Sequence, residues 1–443
     1  MIRRFPQAQF RRLTLVRGAC VGSAILLLLL TASKVGAYAV LAHQAEIDVV
    51  WESQLKPLLH KKYPSASEDE LDNAEAYAYG GAIIQDLGYY PYASRFFSDL
   101  VHYVRSGDFV TALLRDAQDV DEYAFALGAL SHYASDMDGH RMATNLSVPI
   151  LYPKLQEKYG NQVTYEDDPL AHVRTEFGFD VLQVARGRYA SDEFHDFVGF
   201  EVSQRLLDQA FVETYGLQLK SVLLDEERAL NSYRRDVSKL IPKATRVAWS
   251  LKREEIQSEE PSATQRKFVY NLSRADFEKE WGKAYRKPTP GERFLALLYR
   301  LVPKIGPLRV LQLRLPTPET EKLFEASFNA SLDRYRTLLK EENQGRLQLR
   351  NVNFDLGADT PPGQYRLNDD AHARLLHEIA ASGFKGAPPE LRSELLQFFN
   401  HPGAPYATKK DAKAWAQVQV ELQQLREDYF SLTGPAGSPS HHE

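Results

Sequence analysis

The stretch YAFALGALSHYASDMDGH, residues 123–140, decides the fold class. Its apolar residues recur at spacings of three and four instead of alternating, which is the pattern of a helix with a buried side. The surroundings of His132 are apolar, with Phe125, Leu127, Leu130 and Tyr133 close in sequence. His132 and Asp136 are four apart, so a helix puts them one turn apart on the same face. Half-buried there, a charged pair is expensive unless something neutralises it, and a bound metal does so. Gly139 reads as the helix end, with His140 at that end or just past it.

The same logic recurs downstream in His172-Val-Arg-Thr-Glu176, a second imidazole and carboxylate at i and i+4. One such pair alone is by default a solvated ion pair. Two pairs with an extra histidine between them are how helical bundles build multinuclear metal sites. The single cysteine, Cys20, lies near the N-terminus, so any metal is held by histidine and carboxylate. That donor set suits zinc or another borderline divalent ion.

Working outward, the helical pattern runs from His43 to about Arg188, through Ala45–Leu59, Glu70–Gln85 and Phe96–Val104. Ser67 and Glu70 form an expected capping box, and glycines with Pro91 mark the turns. Helices are expected again in 192–257, 317–342, 369–382, 389–399 and 410–432, whereas Leu347–Leu367 reads as irregular with room for a short strand. The expected fold is all-α: a multi-helix bundle over 40–257, a loop at 258–263, and a mostly helical C-terminal region over 264–443. With 443 residues, 44% hydrophobic and 26% charged, the chain has the composition of a globular protein.

The N-terminus differs from everything after it. Arg3, Arg4, Arg11, Arg12 and Arg17 precede the apolar run Ala24–Leu30 and the small-residue stretch Val35–Ala39, the layout of a signal peptide spanning 1–39. The expectation is an exported protein, periplasmic or secreted, with an uncleaved anchor helix as the alternative. Cleavage removes five arginines and Lys34, taking the formal charge from -5 to about -11. An acidic body has no long-range attraction for polyanions, which argues against nucleic acid as a partner.

These residues resemble the zinc-dependent phospholipase C family, which shares its fold with zinc-dependent single-strand nucleases. The resemblance runs from about Tyr38 to Arg188. It rests on His43 in AHQAEI, on Gly80-Gly81 leading to Asp86, on DLVH ending in His102, and on His132, Asp136, His140, His172 and Glu176 in that order. It implies two or three zinc ions. Asp86, His102, His132 and Asp136 would hold one; His140, His172 and Glu176 a second; His43, a bridging Asp136 and a free N-terminal amine a third. It also gives Asp86 a catalytic part and implies hydrolysis of phospholipids to diacylglycerol and a phosphorylated head group.

Three functions remain open on sequence alone: the phospholipase C type, the nuclease branch, and a helical envelope metalloprotein without catalysis. Nuclease relatives usually end on HxxxD where this chain has HxxxE. Of the other histidines, His60, His195, His372 and His377, with His441 and His442 in the polar tail, read as ordinary surface or packing residues. The segment 294–315 alternates greasy turns with arginines. It reads as a pair of core helices broken at Pro303 and Pro307, with peripheral membrane contact as the alternative. N-terminal sequencing of the protein recovered from an exporting host is expected to start between residues 37 and 40; recovery of intact Met1 would leave the anchor reading standing.

Overall fold

The computed structural model describes residues 40–185, 188–189, 195, 198–242, 244–245, 247, 314–401, 403 and 412–433. The expected signal peptide, the loop at 258–263, nearly all of 294–315 and the tail from 434 lie outside the described residues. Among those described, every element is helical. In chain order they are α1 (Val40–Val50), α2 (Lys56–Lys62), α3 (Glu68–Ala82), α4 (Arg95–Tyr103), α5 (Ser106–Asp116), α6 (Val120–Gly139), α7 (Asn145–Leu151) and α8 (Pro153–Tyr159). After these come α9 (Pro169–Ala185), α10 (Gln204–Tyr215), α11 (Leu219–Val222), α12 (Glu226–Arg235), α13 (Pro318–Asn343), α14 (Arg366–Ala381), α15 (Pro389–Asn400) and α16 (Ala412–Thr433). No described helix is long and apolar enough to cross a membrane.

Local chemistry starts these helices where the sequence says it should. Ser67 and Glu70 form the reciprocal capping box of α3. Asp119 caps α6 by accepting from the Glu122 amide, and Thr317 with Thr320 caps α13 behind Pro318. Between α3 and α4 the chain makes a tight 3-10 segment, Ile84–Tyr89, which carries Asp86.

Helix α6 is the axis of the molecule, with nearly all of its side chains buried. Against α3 it packs backbone to backbone. A Cβ on Gly128 would lie 2.1 Å from the Ala78 carbonyl oxygen, and one on Gly81 1.9 Å from that of Phe125. On another side α13 covers α6, with the Tyr335 hydroxyl donating to the Leu127 carbonyl at 2.9 Å and Arg334 holding Asp138 at 2.8 and 3.1 Å. Phe324 and Phe328 of α13 share one continuous hydrophobic core with residues of α1 to α6, so the described helices beyond residue 314 build no separate core.

Two local expectations differ from the structure. Gly139 does not end its helix: it keeps right-handed helical angles (φ -59°, ψ -53°), and the chain runs on through a wider π turn, His140–Thr144, into α7. Burial explains this, because Ala143, Thr144 and Asn145 are fully enclosed and tertiary packing outweighs the low helix propensity of one glycine. The 347–365 run makes no strand, only a single antiparallel bridge between Asn353 and Ala358. It is fixed by main-chain bonds to the helices: Phe354 N–H to His102 O at 3.1 Å, and Tyr133 OH to Arg350 O at 3.0 Å.

The α3–α6 contact yields a stability test. Gly128→Ala pushes a methyl into backbone that cannot rotate away, and is expected to destabilise by about 1–3 kcal/mol. Thermal or urea melting reads this directly, and an unchanged midpoint would mean that the helices have room to part.

Candidate metal centre

Six elements converge on one buried volume. His43 comes from the first turn of α1, Asp86 from the 3-10 segment, His102 from the end of α4, His132 and Asp136 from α6, His140 from the π turn, and His172 and Glu176 from α9. All eight are buried; the most open, His140, is 6% exposed. Thus the structure brings together every residue singled out from the sequence.

Asp136 lies at the middle. Its Oδ1 is 3.5 Å from His43 Nε2, and its Oδ2 is 3.3 Å from His102 Nε2, 3.0 Å from His132 Nε2 and 3.4 Å from His140 Nε2. His102 also approaches Asp86 at 3.4 Å. The second cluster is tighter: His172 Nε2 is 2.8 Å from both Glu176 Oε1 and His140 Nδ1. Three groups can each hold a metal ion: His43 with His132 and Asp136, Asp86 with His102 and His132, and His140 with His172 and Glu176. Bond lengths of 2.0–2.2 Å to zinc give tetrahedral ligand-to-ligand edges of roughly 3.3–3.6 Å, the range of most of these separations.

The outer contacts prepare the rings for that role. His102 Nδ1 lies 2.8 Å from the Ser98 carbonyl and His132 Nδ1 3.0 Å from the Ala82 carbonyl, so each Nδ1–H is donated to the backbone and each Nε2 faces the centre. The glycine-tight α3–α6 packing is what brings the Ala82 carbonyl within reach. Meanwhile both oxygens of Asp86, Asp136 and Glu176 are buried and accept no hydrogen bond of normal geometry. Buried carboxylates without hydrogen bonds of this kind are what a divalent cation would satisfy.

Electrostatics follow the same plan. Burial raises the Asp86 carboxyl, but around Asp136 the His132 and His140 imidazoles outweigh burial and hold it well below the usual range. Burial pulls His102 down, yet Asp136 and Asp86 push it up to about 9. Glu46, one turn after His43, is pushed up to about 8 by burial and accepts from Ser131 Oγ at 3.1 Å, so near neutral pH it adds little negative charge beside Asp136.

A narrow cleft between Tyr89, Tyr103 and Tyr165 reaches the cluster, with Asp86, His140 and His172 in its lining. Asp355, which sequence reasoning missed, lines it too. It belongs to the irregular 347–365 run and has no neighbouring histidine in sequence, so no local pattern announces it. His60, His195, His372 and His377 sit apart from the cluster. His372 stacks on Phe398 at 3.7 Å, its pKa lowered by burial to about 4; His377 pairs with Glu421; His195 meets Asp48 at 3.3 Å; and His60 is exposed.

In comparison with known families, residues 45–224 fit the family described as zinc dependent phospholipase C. The span contains seven of the eight convergent residues, His43 lying just before it, and covers less than half of the chain. Among curated proteins and among solved structures nothing matches.

Because His102 is held protonated near neutral pH and must lose that proton to ligate, zinc uptake is expected to release protons. Apparent affinity should therefore climb as pH rises from 6 to 8. Calorimetric titration in buffers of different ionisation enthalpy measures both effects; a flat affinity with no proton release would show that His102 stays out of the first coordination sphere.

Proposed function

From the match of residues 45–224 to the family described as zinc dependent phospholipase C, we propose that the protein is a zinc-dependent phosphodiester hydrolase acting on phospholipids. The observation that carries this reading is the convergence of three ligand groups beneath a tyrosine-walled cleft. Asp86 and Asp136 with His102 and His132 would hold one zinc, and His140, His172 and Glu176 a second; His43 with Asp136 would serve a third. When bound, zinc supplies Lewis-acid polarisation of a phosphoryl oxygen and of water at neutral pH.

The chain's own residues do the rest. Tyr89, Tyr103 and Tyr165 narrow the approach and limit bulk water. Asp86, facing the cleft with a carboxylate raised by burial, takes the proton of the attacking water as its oxygen bonds to phosphorus. The bond from phosphorus to the glycerol oxygen breaks, and the departing oxygen takes up a proton, the one held by Asp86 returned directly or through water, to give diacylglycerol and a phosphorylated head group. Export belongs to the same proposal, supported by the basic and then apolar sequence of residues 1–39, and it would bring the protein to lipid substrate.

Two measurements test the reading. Zinc-loaded protein is expected to turn over phospholipid and a chromogenic phosphodiester in preference to an oligonucleotide; turnover of oligonucleotide alone would assign the nuclease branch instead. Glu176→Gln is expected to lower hydrolysis on the order of 100-fold or more while circular dichroism shows the helices intact. Full activity in that variant would reduce His172 and Glu176 to a packing pair.

A further inference from the structure

The His140, His172 and Glu176 group has a neighbour that neither the i,i+4 patterns nor the family-matched span contains. Asp355 is 2% exposed and comes from the irregular run more than 170 residues after Glu176. Its two oxygens do different work. Oδ2 accepts from the Tyr165 main-chain N–H at 3.0 Å and from the Tyr365 hydroxyl at 2.7 Å, which fixes the plane of the carboxylate. Oδ1 is buried, accepts no hydrogen bond of normal geometry and lies 3.3 Å from His140 Nδ1.

That atom joins three others: His140 Nδ1, His172 Nε2 and Glu176 Oε1 are separated by 2.8, 2.8 and 3.8 Å along the edges they share. With Asp355 Oδ1 joined to the group through its 3.3 Å edge to His140 Nδ1, close to the roughly 3.3 Å edge of a zinc tetrahedron, the donors number four, one more than a site with an open position provides. We propose that Asp355 is the fourth protein ligand of the second metal site, so that the C-terminal region completes and closes it. This rests on reading the cluster as a metal centre. A second site closed in this way would hold its ion for charge and structure, with no exchangeable position of its own.

The competing role for the same carboxylate is to accept from His140 Nδ1–H and orient that ring toward Asp136, as outer-sphere carboxylates do. Spectroscopy separates the two. The chain has a single cysteine, Cys20, so cobalt-loaded parent protein gives the baseline spectrum, and cobalt-loaded Asp355→Cys is expected to gain a thiolate-to-cobalt charge-transfer band. Asp355→Asn keeps an oxygen for Tyr165 and Tyr365 but turns an amide without a usable lone pair toward the site. It is expected to retain one metal fewer than the parent under chelator challenge, with affinity at that site weaker by about 100-fold or more. Fully loaded Asp355→Cys without the band, or Asp355→Asn with parental retention, overturns the ligand. A parent chain that takes up no cobalt at all overturns the metal-centre reading itself, and the two failures are thereby told apart.

Discussion

The Asp136 carboxylate is buried to 0% exposure with four imidazoles around its two oxygens, and the rest of the molecule is arranged around that fact. An isolated carboxylate in such a place would protonate to escape the desolvation penalty. Here the neighbours reverse that outcome, and Asp136 stays charged. Such convergence requires ligands from separate helices to arrive on one point, so the packing of α1, α3, α4 and α6 serves the site first and the core second. Glu46 and Asp180 fit the same constraint. Both are acids near the centre, both are pushed up to about 8 by burial, and neither adds much charge that Asp136 would have to oppose near neutral pH.

Geometry at the centre is sensitive to backbone placement because imidazole reach is short. The contact of Gly81 and Gly128 lets α3 and α6 approach until the Ala82 carbonyl meets His132 Nδ1, fixing the tautomer. His140 continues the same helix: its N–H bonds to the Asp136 carbonyl one regular turn back, so that its Nε2 meets Asp136 while its Nδ1 meets His172, and the wider π turn follows it. A helix that ended at Gly139 would leave that ring's direction to a loop.

Much of this was legible in the sequence because the decisive information is local to single helices. His132 with Asp136, and His172 with Glu176, share a face by periodicity alone, and the capping box at Ser67 announces its helix within four residues. What stayed hidden depends on chain segments far apart. No periodicity indicates that Gly139 is wound into a helix, since its conformation follows from the burial of the residues after it. Nor does anything near Asp355 mark it as part of the centre; its role arises from where the Phe354–His102 and Asp355–Tyr165 bonds pin the run against α4 and the 165 loop. The expected short strand in the same stretch reduces to one bridge because the run's backbone groups are engaged by helices and side chains.

The region beyond residue 314 therefore acts on the centre through α6 as well as through Asp355. Arg334 neutralises Asp138, two residues past Asp136, at the opposite side of the helix from the cluster. Tyr335 binds the Leu127 carbonyl, Ser331 meets the Ser135 carbonyl at 3.4 Å, and Phe324 stacks on Phe179 of α9 at 4.7 Å. These contacts tie together the two helices that carry the two histidine and carboxylate pairs. A bundle confined to the family-matched span would contain most of the converging side chains but lack this clamp, and rings that must meet within a few tenths of an ångström would be held by α6 and α9 alone. The C-terminal helices are thus part of what pre-organises the site, not an appendage beside it.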